Sequence, residues 1–214
     1  RLSSDDFSNE GLGYLDARPV RVAGVPCLAL RIGFVGELGY ELHFPSAHAE
    51  HVWDLLLERG ADLGAAPFGL EPQRILRLEK GHVIVSQDTD SESNLLEAAM
   101  PWLVKNDKDF EWVGKWATQQ VADRGLKWML VGFESPSGAM PVEGGQVVVD
   151  GVSAGRVTSV RHSAALGRVI GLAIVPSELA VEGARFVVQI DGRPVAMRVH
   201  LGPFFDPAGE RLKA

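Results

Sequence analysis

Residues 31–45 read Arg31-Ile-Gly-Phe-Val-Gly-Glu-Leu-Gly-Tyr-Glu-Leu-His-Phe-Pro45, two apolar runs joined through Gly36 and Gly39 with an acid beside each. The pattern predicts strand, glycine-containing turn, strand. Gly36 and Gly39 give the backbone freedom to reverse tightly and to approach a ligand or another strand closely. If Tyr40, Leu42 and Phe44 share one face, strand alternation turns Glu41 and His43 to the other. That face is either solvent or a pocket. Upstream, residues 1–13 are polar and rich in turn formers, and read as a loop. Two short strands follow over 14–22 and 25–34, bridged at Ala23-Gly24. Downstream the period changes: Ala49, Val52, Trp53 and Leu56 fall on one face of a helix over 46–60. Ser46 is placed to cap its start and Gly60 to end it. A helix on a sheet results.

Gly64 and Pro67 block continuation of that helix, and a second is expected over 70–80, stopped by Gly81. On it Gln73 and Arg77, one turn apart, share a polar flank while Ile75 and Leu76 face elsewhere. Residues 82–86 and 102–104 read as short strands. A third helix is expected over 113–123, with Trp116 and Val121 turned to the core. Near Arg124-Gly125 the character becomes all-β, with six candidate strands over 127–134, 146–149, 152–160, 169–175, 184–190 and 194–201. Asp150-Gly151 and Asp191-Gly192 are strong signals for two-residue hairpins, and a small closed or nearly closed barrel accommodates the six strands. The fold class is therefore α+β: an antiparallel sheet with packed helices over residues 1–124, then a C-terminal β-barrel over residues 125–214.

The formal charge of -7 hides an asymmetry, because residues 1–150 carry 13 basic and 23 acidic side chains and residues 151–214 carry 8 and 5. Neither part has the clustered Lys/Arg stripe of a nucleic-acid binder, and the acidic majority repels phosphate backbones. The basic excess of the second part suits an anionic ligand or an acidic partner, or consists of solvated arginines on strands. No apolar run approaches the roughly 20 residues that span a bilayer, and no basic-then-apolar leader opens the chain. The cytoplasm is the expected location. A single cysteine, Cys27, excludes an internal disulfide and, between Val25 and Leu28, reads as a small core residue. The sequence begins at Arg1 without Met, as an expressed or processed fragment would.

Among chemistry-bearing residues, Glu41 stands first, since a carboxylate beside a glycine bend can accept paired N–H donors from a planar heterocycle. The competing reading is a solvated strand residue. Asp88-Thr-Asp-Ser-Glu-Ser93 resembles the start of a calcium loop, but Ser93 stands where the loop needs Gly and Ala99 where it needs Glu. Of six histidines, only His48 and His51 sit a turn apart, without a third ligand, so no metal site is expected. Gly33, Gly36 and Gly39 do not make a dinucleotide-binding turn, because a strand rather than a helix follows. No Gly-x-Ser-x-Gly elbow is present.

The string Phe34-Val-Gly-Glu-Leu-Gly-Tyr-Glu41 resembles the aromatic-x-Gly-Glu-x-Gly-aromatic-Glu signature of the tetrahydrofolate-dependent aminomethyltransferase family, which includes the glycine-cleavage T-protein. The same module closes dimethylglycine oxidase and the large subunit of sarcosine oxidase. Three later stretches agree in order and spacing: Gly69-Leu-Glu-Pro-Gln-Arg-Ile-Leu-Arg-Leu-Glu-Lys-Gly81, Asp107-Lys-Asp-Phe110 near Gly114-Lys115, and Ala154-Gly-Arg-Val-Thr-Ser159. The stretch from Gly81 to Asp90 is most similar to the sarcosine oxidase branch. The resemblance implies that Glu41 binds the pterin ring of tetrahydrofolate and that Phe34 takes the place of a Tyr beside it. Phe34 can stack but cannot donate a hydrogen bond. Glu37 and Tyr40 complete the signature; structurally, Glu37 can hold the turn's amides and Tyr40 can pack in the core. Gln73 stands where glycine-cleavage members carry an Arg that helps to hold folate. Arg74 or Arg77 is the replacement, although a helix-surface salt bridge with Glu71 or Glu79 accounts for either equally.

By resemblance, the chemistry is capture of a one-carbon unit, derived from glycine or sarcosine, by tetrahydrofolate. Proximity in a dry pocket supplies most of the effect. In the family, an Asp in the portion before the signature positions the reacting edge of folate. No segment here matches that portion, so the N-terminal part of the module is expected to be missing and no catalytic residue is assigned. The alternative is a non-catalytic folate-binding or scaffold subunit of an amine-oxidising complex. Expected partners are the folate and amine-derived one-carbon unit, with a flavin oxidase subunit or a second copy of the chain completing open sheet edges.

Overall fold

The computed structural model describes residues 1–105 and 107–214. They form two compact units, residues 1–73 with 208–214, and residues 74–207. Among the described residues, no helix is long and apolar enough to cross a membrane.

The first unit is built on an antiparallel sheet, β1 (Ala17–Val22), β2 (Val25–Leu30) and β3 (Glu41–His43), in the order β1-β2-β3. Val22 pairs with Val25 across the expected bridge, where Ala23 and Gly24 both take positive φ, 53° and 77°. That is the turn whose twist matches two right-twisted strands. Alternation buries one face only: Val20, Val22, Cys27 and Ala29 join Leu12 in the core, with Phe7, Leu42 and Phe44 packed at its margin. Cys27 is the small core residue its neighbours imply, and burial pushes its thiol above the usual range.

The central strand-turn-strand expectation needs correction. β2 stops at Leu30, and residues 31–40 contain neither strand nor helix before β3 resumes the ladder opposite, with Leu30 facing Glu41 and Leu28 facing His43. The glycines act otherwise than in a tight hairpin. A Cβ on Gly33 would overlap the Glu37 carbonyl, and one on Gly39 would lie 2.8 Å from the Ile32 carbonyl oxygen, so the connection folds upon itself. β1 likewise begins at Ala17 rather than residue 14, because Leu15 sits at φ 72° and its N–H bonds the Arg31 carbonyl at 2.9 Å.

A turn of 3₁₀ helix, Ser46–His48, precedes α1 (Ala49–Gly60). Ser46 therefore lies before the helix and does not cap it. Of the expected apolar face Val52 is buried, whereas Trp53 and Leu56 stay largely exposed. α2 (Leu70–Glu79) ends just short of Gly81, whose φ is 73°.

The second unit closes a barrel from β4 (Trp128–Glu134), β5 (Gln146–Val149), β6 (Val152–Ser163), β7 (Arg168–Pro176), β8 (Arg185–Ile190) and β9 (Arg193–His200), in the order β4-β7-β6-β5-β8-β9. All six expected strands are present, and both Asp-Gly turns are two-residue loops with positive φ at each residue, joining Val149 to Val152 and Ile190 to Arg193. Inside, Val131, Val147, Val157, Val175 and Val188 surround Phe133 and Phe186, whose rings meet edge to face at 5.7 Å. Outside, Leu78 of α2 packs with Leu130, Ile170, Leu172 and Phe204.

Between α2 and the barrel three expectations fail. Residues 82–86 are irregular and enter a turn at 85 instead of forming a strand, because the Asp88 carboxylate takes the Ile84 N–H that a ladder would need. Residues 102–104 are not a strand; Pro101–Leu103 is a 3₁₀ turn, favoured by proline at the first helical position. α3 (Lys115–Arg124) buries Val121 but leaves Trp116 exposed.

Gly171 faces Phe133 across the β4–β7 ladder, and a Cβ there would overlap the Phe133 ring and the Ser159 carbonyl. Gly171→Ala is expected to destabilise the protein by about 1–3 kcal/mol through overpacking. Gly151→Ala, with open space around it, is expected to lose about 1–2 kcal/mol from its left-handed backbone. Urea unfolding distinguishes the two mechanisms, since a double-mutant cycle with Phe133→Leu shows coupling for Gly171→Ala and none for Gly151→Ala.

Candidate folate-binding loop and the buried motif network

Residues directly opposite on antiparallel strands point to the same side. Glu41 and His43 of β3 thus share the open face of the first sheet with Leu30 and Leu28 of β2 and with Ala17 and Pro19 of β1. The Glu41 side chain is half exposed, and its Oε2 lies 3.0 Å from His43 Nε2. Leu28 is also exposed, so the carboxylate stands beside an apolar strip. In this chain the face that carries Glu41 is open to solvent.

Phe34, Glu37 and Tyr40 all belong to the irregular 31–40 connection that delivers the chain to Glu41. Phe34 and Tyr40 are partly exposed. Tyr40 donates its hydroxyl to the Phe7 carbonyl at 2.6 Å and sets its ring edge-to-face on Phe7 at 5.3 Å, tying the end of the connection to the core margin. Glu37 does not hold the turn's amides. Its two carboxylate oxygens accept from Arg211 Nε at 2.7 and 2.9 Å. Gln73 and Arg74 lie next to one another on α2, Gln73 partly buried and Arg74 exposed.

Arg77 departs most from expectation. It is neither on a solvent flank with Gln73 nor paired with Glu71 or Glu79. It is buried in the second unit, 2% exposed beside a fully buried Asp88, with Nη1 2.7 Å from Asp88 Oδ2. The same nitrogen donates to the His82 carbonyl and Nη2 donates to Ser159 Oγ at 2.6 Å. Asp88 Oδ1 in turn accepts from Thr158 Oγ1 and Ser159 Oγ at 2.7 and 2.6 Å. Gln87 adds a bond to Ser159 Oγ at 3.0 Å. Three of the motif stretches, around residues 69–81, 81–90 and 154–159, therefore converge on one ion pair. The neighbouring motif residues are used similarly: Glu79 accepts from Ser163 Oγ at 2.5 Å, and Lys80 pairs with Asp206 at 3.4 Å. The aspartate where a calcium loop would begin is thus an internal counter-ion. The signal for this in the sequence was the shared register of the stretches, not helical periodicity.

A cavity of about 360 Å³ opens in the second unit, lined by Asp88, Asp90, Glu97, Trp128, Arg156 and Ile174 among others. None of the six residues expected to bind folate lines it. At its rim Arg156 donates to Asp90 at 2.9 Å and, with Ser93, holds the Asp90 carboxyl below the usual carboxylate range. Elsewhere on the barrel Arg168 and Arg198 pair with Glu134 and Arg161 pairs with Glu143. Among the described residues, no cluster of three or more His, Cys, Asp or Glu could hold a metal ion.

Comparisons with known proteins agree with the motif stretches. Residues 1–108 match the family model described as the GCVT N-terminal domain, and residues 129–206 match the glycine cleavage T-protein C-terminal barrel domain. The chain belongs to the glycine-cleavage T-protein family of aminomethyltransferases. It is 35% identical over 195 residues to an aminomethyltransferase of Caldanaerobacter subterraneus subsp. tengcongensis, covering 91% of this chain and 52% of that protein. It is 31% identical to the sarcosine oxidase subunit alpha of a Corynebacterium species, over 96% of this chain and 22% of that protein. A crystal structure of the glycine cleavage system aminomethyltransferase T from Bartonella henselae superposes with a TM-score of 0.83 at 24% identity, over 94% of this chain and 54% of that one, which shows a common fold. The chain spans about half the length of the aminomethyltransferases it matches.

Removing one partner of a buried ion pair strands the other without solvent. Arg77→Met is expected to destabilise the protein by about 3–5 kcal/mol, and the double variant Arg77→Met, Asp88→Leu by less. Chemical denaturation of both variants measures the difference, and a double variant as unstable as the single one would contradict it.

Proposed function

We propose that the chain forms part of a tetrahydrofolate-dependent aminomethyltransferase and acts in transfer of a one-carbon unit from a glycine- or sarcosine-derived amine to tetrahydrofolate. The observation that carries this reading is Glu41, a half-exposed carboxylate on the open face of a sheet, in the signature position of the family to which the chain belongs, with partly exposed Phe34 and Tyr40 on the connection before it. This donor set fits a pterin: a carboxylate accepts paired N–H groups, and an aromatic ring offers a stacking face. Tetrahydrofolate, when bound, supplies the nucleophilic nitrogens. Glu41 orients them and Phe34 covers the ring. Glu37 and Tyr40 serve by shaping the connection. Gln73 and Arg74 are carried as candidates for the acidic tail from their positions in the family motif alone.

The division into a folate-binding α+β segment, residues 1–124, and a barrel, residues 125–214, belongs to the same reading. It is supported by the two family matches and by the first barrel strand starting at Trp128. The similarity to a sarcosine oxidase alpha subunit supports a setting in an amine-oxidising complex with a flavin-bearing partner. A non-catalytic folate-binding or scaffold role is the second reading, favoured by Phe34 and Gln73 standing where the family carries Tyr and Arg.

Calorimetric titration of reduced tetrahydrofolate into the protein and into Glu41→Gln separates them. Saturable binding that weakens about tenfold or more in the variant, about 1.4 kcal/mol, is expected. Binding unaffected by Glu41→Gln would remove Glu41 from the site. No binding by either protein would overturn the folate assignment for this chain.

A further inference from the structure

The 31–40 connection has no backbone ladder of its own, yet it carries Phe34 and ends on Glu41. What orders it is largely the chain's last stretch. After residue 207 the chain rejoins the first unit and forms the single helical turn α4 (Glu210–Lys213). Three contacts from this stretch fall on the connection. Arg31, fully buried at its start, donates from Nη2 to the carbonyls of Lys213 and Ala214, and from Nη1 to the Leu12 carbonyl at 3.1 Å and to Asn9. Leu212, also buried, lies where a Cβ on Gly33 would be. Arg211 Nε sits between the two oxygens of Glu37.

We infer that residues 208–214 are a clasp that fixes the 31–40 connection in the shape needed to present Phe34 and Glu41, with Arg211 a positioning residue that acts through Glu37. The inference rests on the folate reading for what is presented, and on the contacts for how. A ligand that must order a loose loop gives up affinity to do so, whereas a loop already ordered by its own protein binds without that loss. An exposed ion pair is weak alone. Here it closes a contact already made by a buried guanidinium and a buried leucine, and it is the part of the clasp that can be reversed without touching the core.

The test compares Arg211→Glu, Glu37→Arg and the charge-swapped double variant in the full-length protein, by amide hydrogen exchange and by tetrahydrofolate calorimetry. Arg211→Glu is expected to speed exchange of residues 31–40 while leaving the barrel strands unchanged, and to weaken folate binding about fivefold or more; the double variant is expected to recover both to within about twofold. Unchanged exchange over 31–40 in Arg211→Glu would overturn the clasp. So would a folate loss that the double variant does not recover, since the charges would then act on the ligand directly. If the unmodified protein binds no tetrahydrofolate, the functional reading falls, and the exchange comparison alone decides the clasp.

Discussion

The Arg77–Asp88 pair is the constraint on which the second unit depends. A guanidinium and a carboxylate without solvent are tolerable only when most of their remaining hydrogen-bonding capacity is filled; here two segments supply the partners, and Arg77 Nε is left buried without one. The His82 carbonyl and Ile84 N–H come from the segment after α2, and the hydroxyls of Thr158 and Ser159 come from β6. Residues 82–100 contain no strand or helix among those described, so no ladder fixes their path. Side-chain carboxylates do that work: Asp88 at one end, and Glu97, which accepts from the Lys127 and Trp128 amides, at the other. Such a segment has a defined shape because its polar groups have defined partners, and not because its backbone is periodic.

This division between periodic and polar order explains what could be read from the sequence. The barrel was legible almost strand by strand, because Asp150-Gly151 and Asp191-Gly192 demand a two-residue turn and the flanking valines alternate or run unbroken. In the first sheet Cys27 was legible as a core residue, whereas Val20, Val22 and Ala29 join it only in the structure. The errors fall where a local pattern was overruled by a distant partner. Residues 31–35 and 82–86 have the composition of strands, yet the first is curled by Gly33 and Gly39 onto nearby carbonyls and the second gives its Ile84 N–H to Asp88. Trp53 and Trp116 occupy helical positions that periodicity assigns to a core, and both remain exposed. Periodicity identifies an apolar face and says nothing of what lies against it.

The candidate site divides in the same way. The emergence of Glu41 opposite Leu42 and Phe44 follows from the two-residue period alone, and the structure keeps that alternation. The partner of Glu37 could not be inferred, because Arg211 lies 174 residues away and neither residue carries a pattern that names the other. Arg77 lies one turn from Gln73, a spacing that makes the two neighbours on the helix surface, yet its side chain is buried. Its burial depends on Asp88, Thr158 and Ser159 arriving together, which only the tertiary fold arranges.

A sheet with one buried face has a second face whose composition stability leaves nearly free. The first unit's core is supplied by one side of β1 and β2 together with Leu12, Phe7 and Phe44, so the side chains of Glu41, His43 and Leu28 contribute little to it. A buried carboxylate would need neutralising partners and would lose the capacity to accept a ligand's donors. An exposed one, held near a single histidine, keeps that capacity. The same freedom does not extend to the connection before it, whose backbone must be ordered without strand pairing. That difference is why the charged and tightly packed contacts, Arg31, Gly33, Glu37 and Tyr40, gather on the ten residues preceding Glu41, while Glu41 itself is left open.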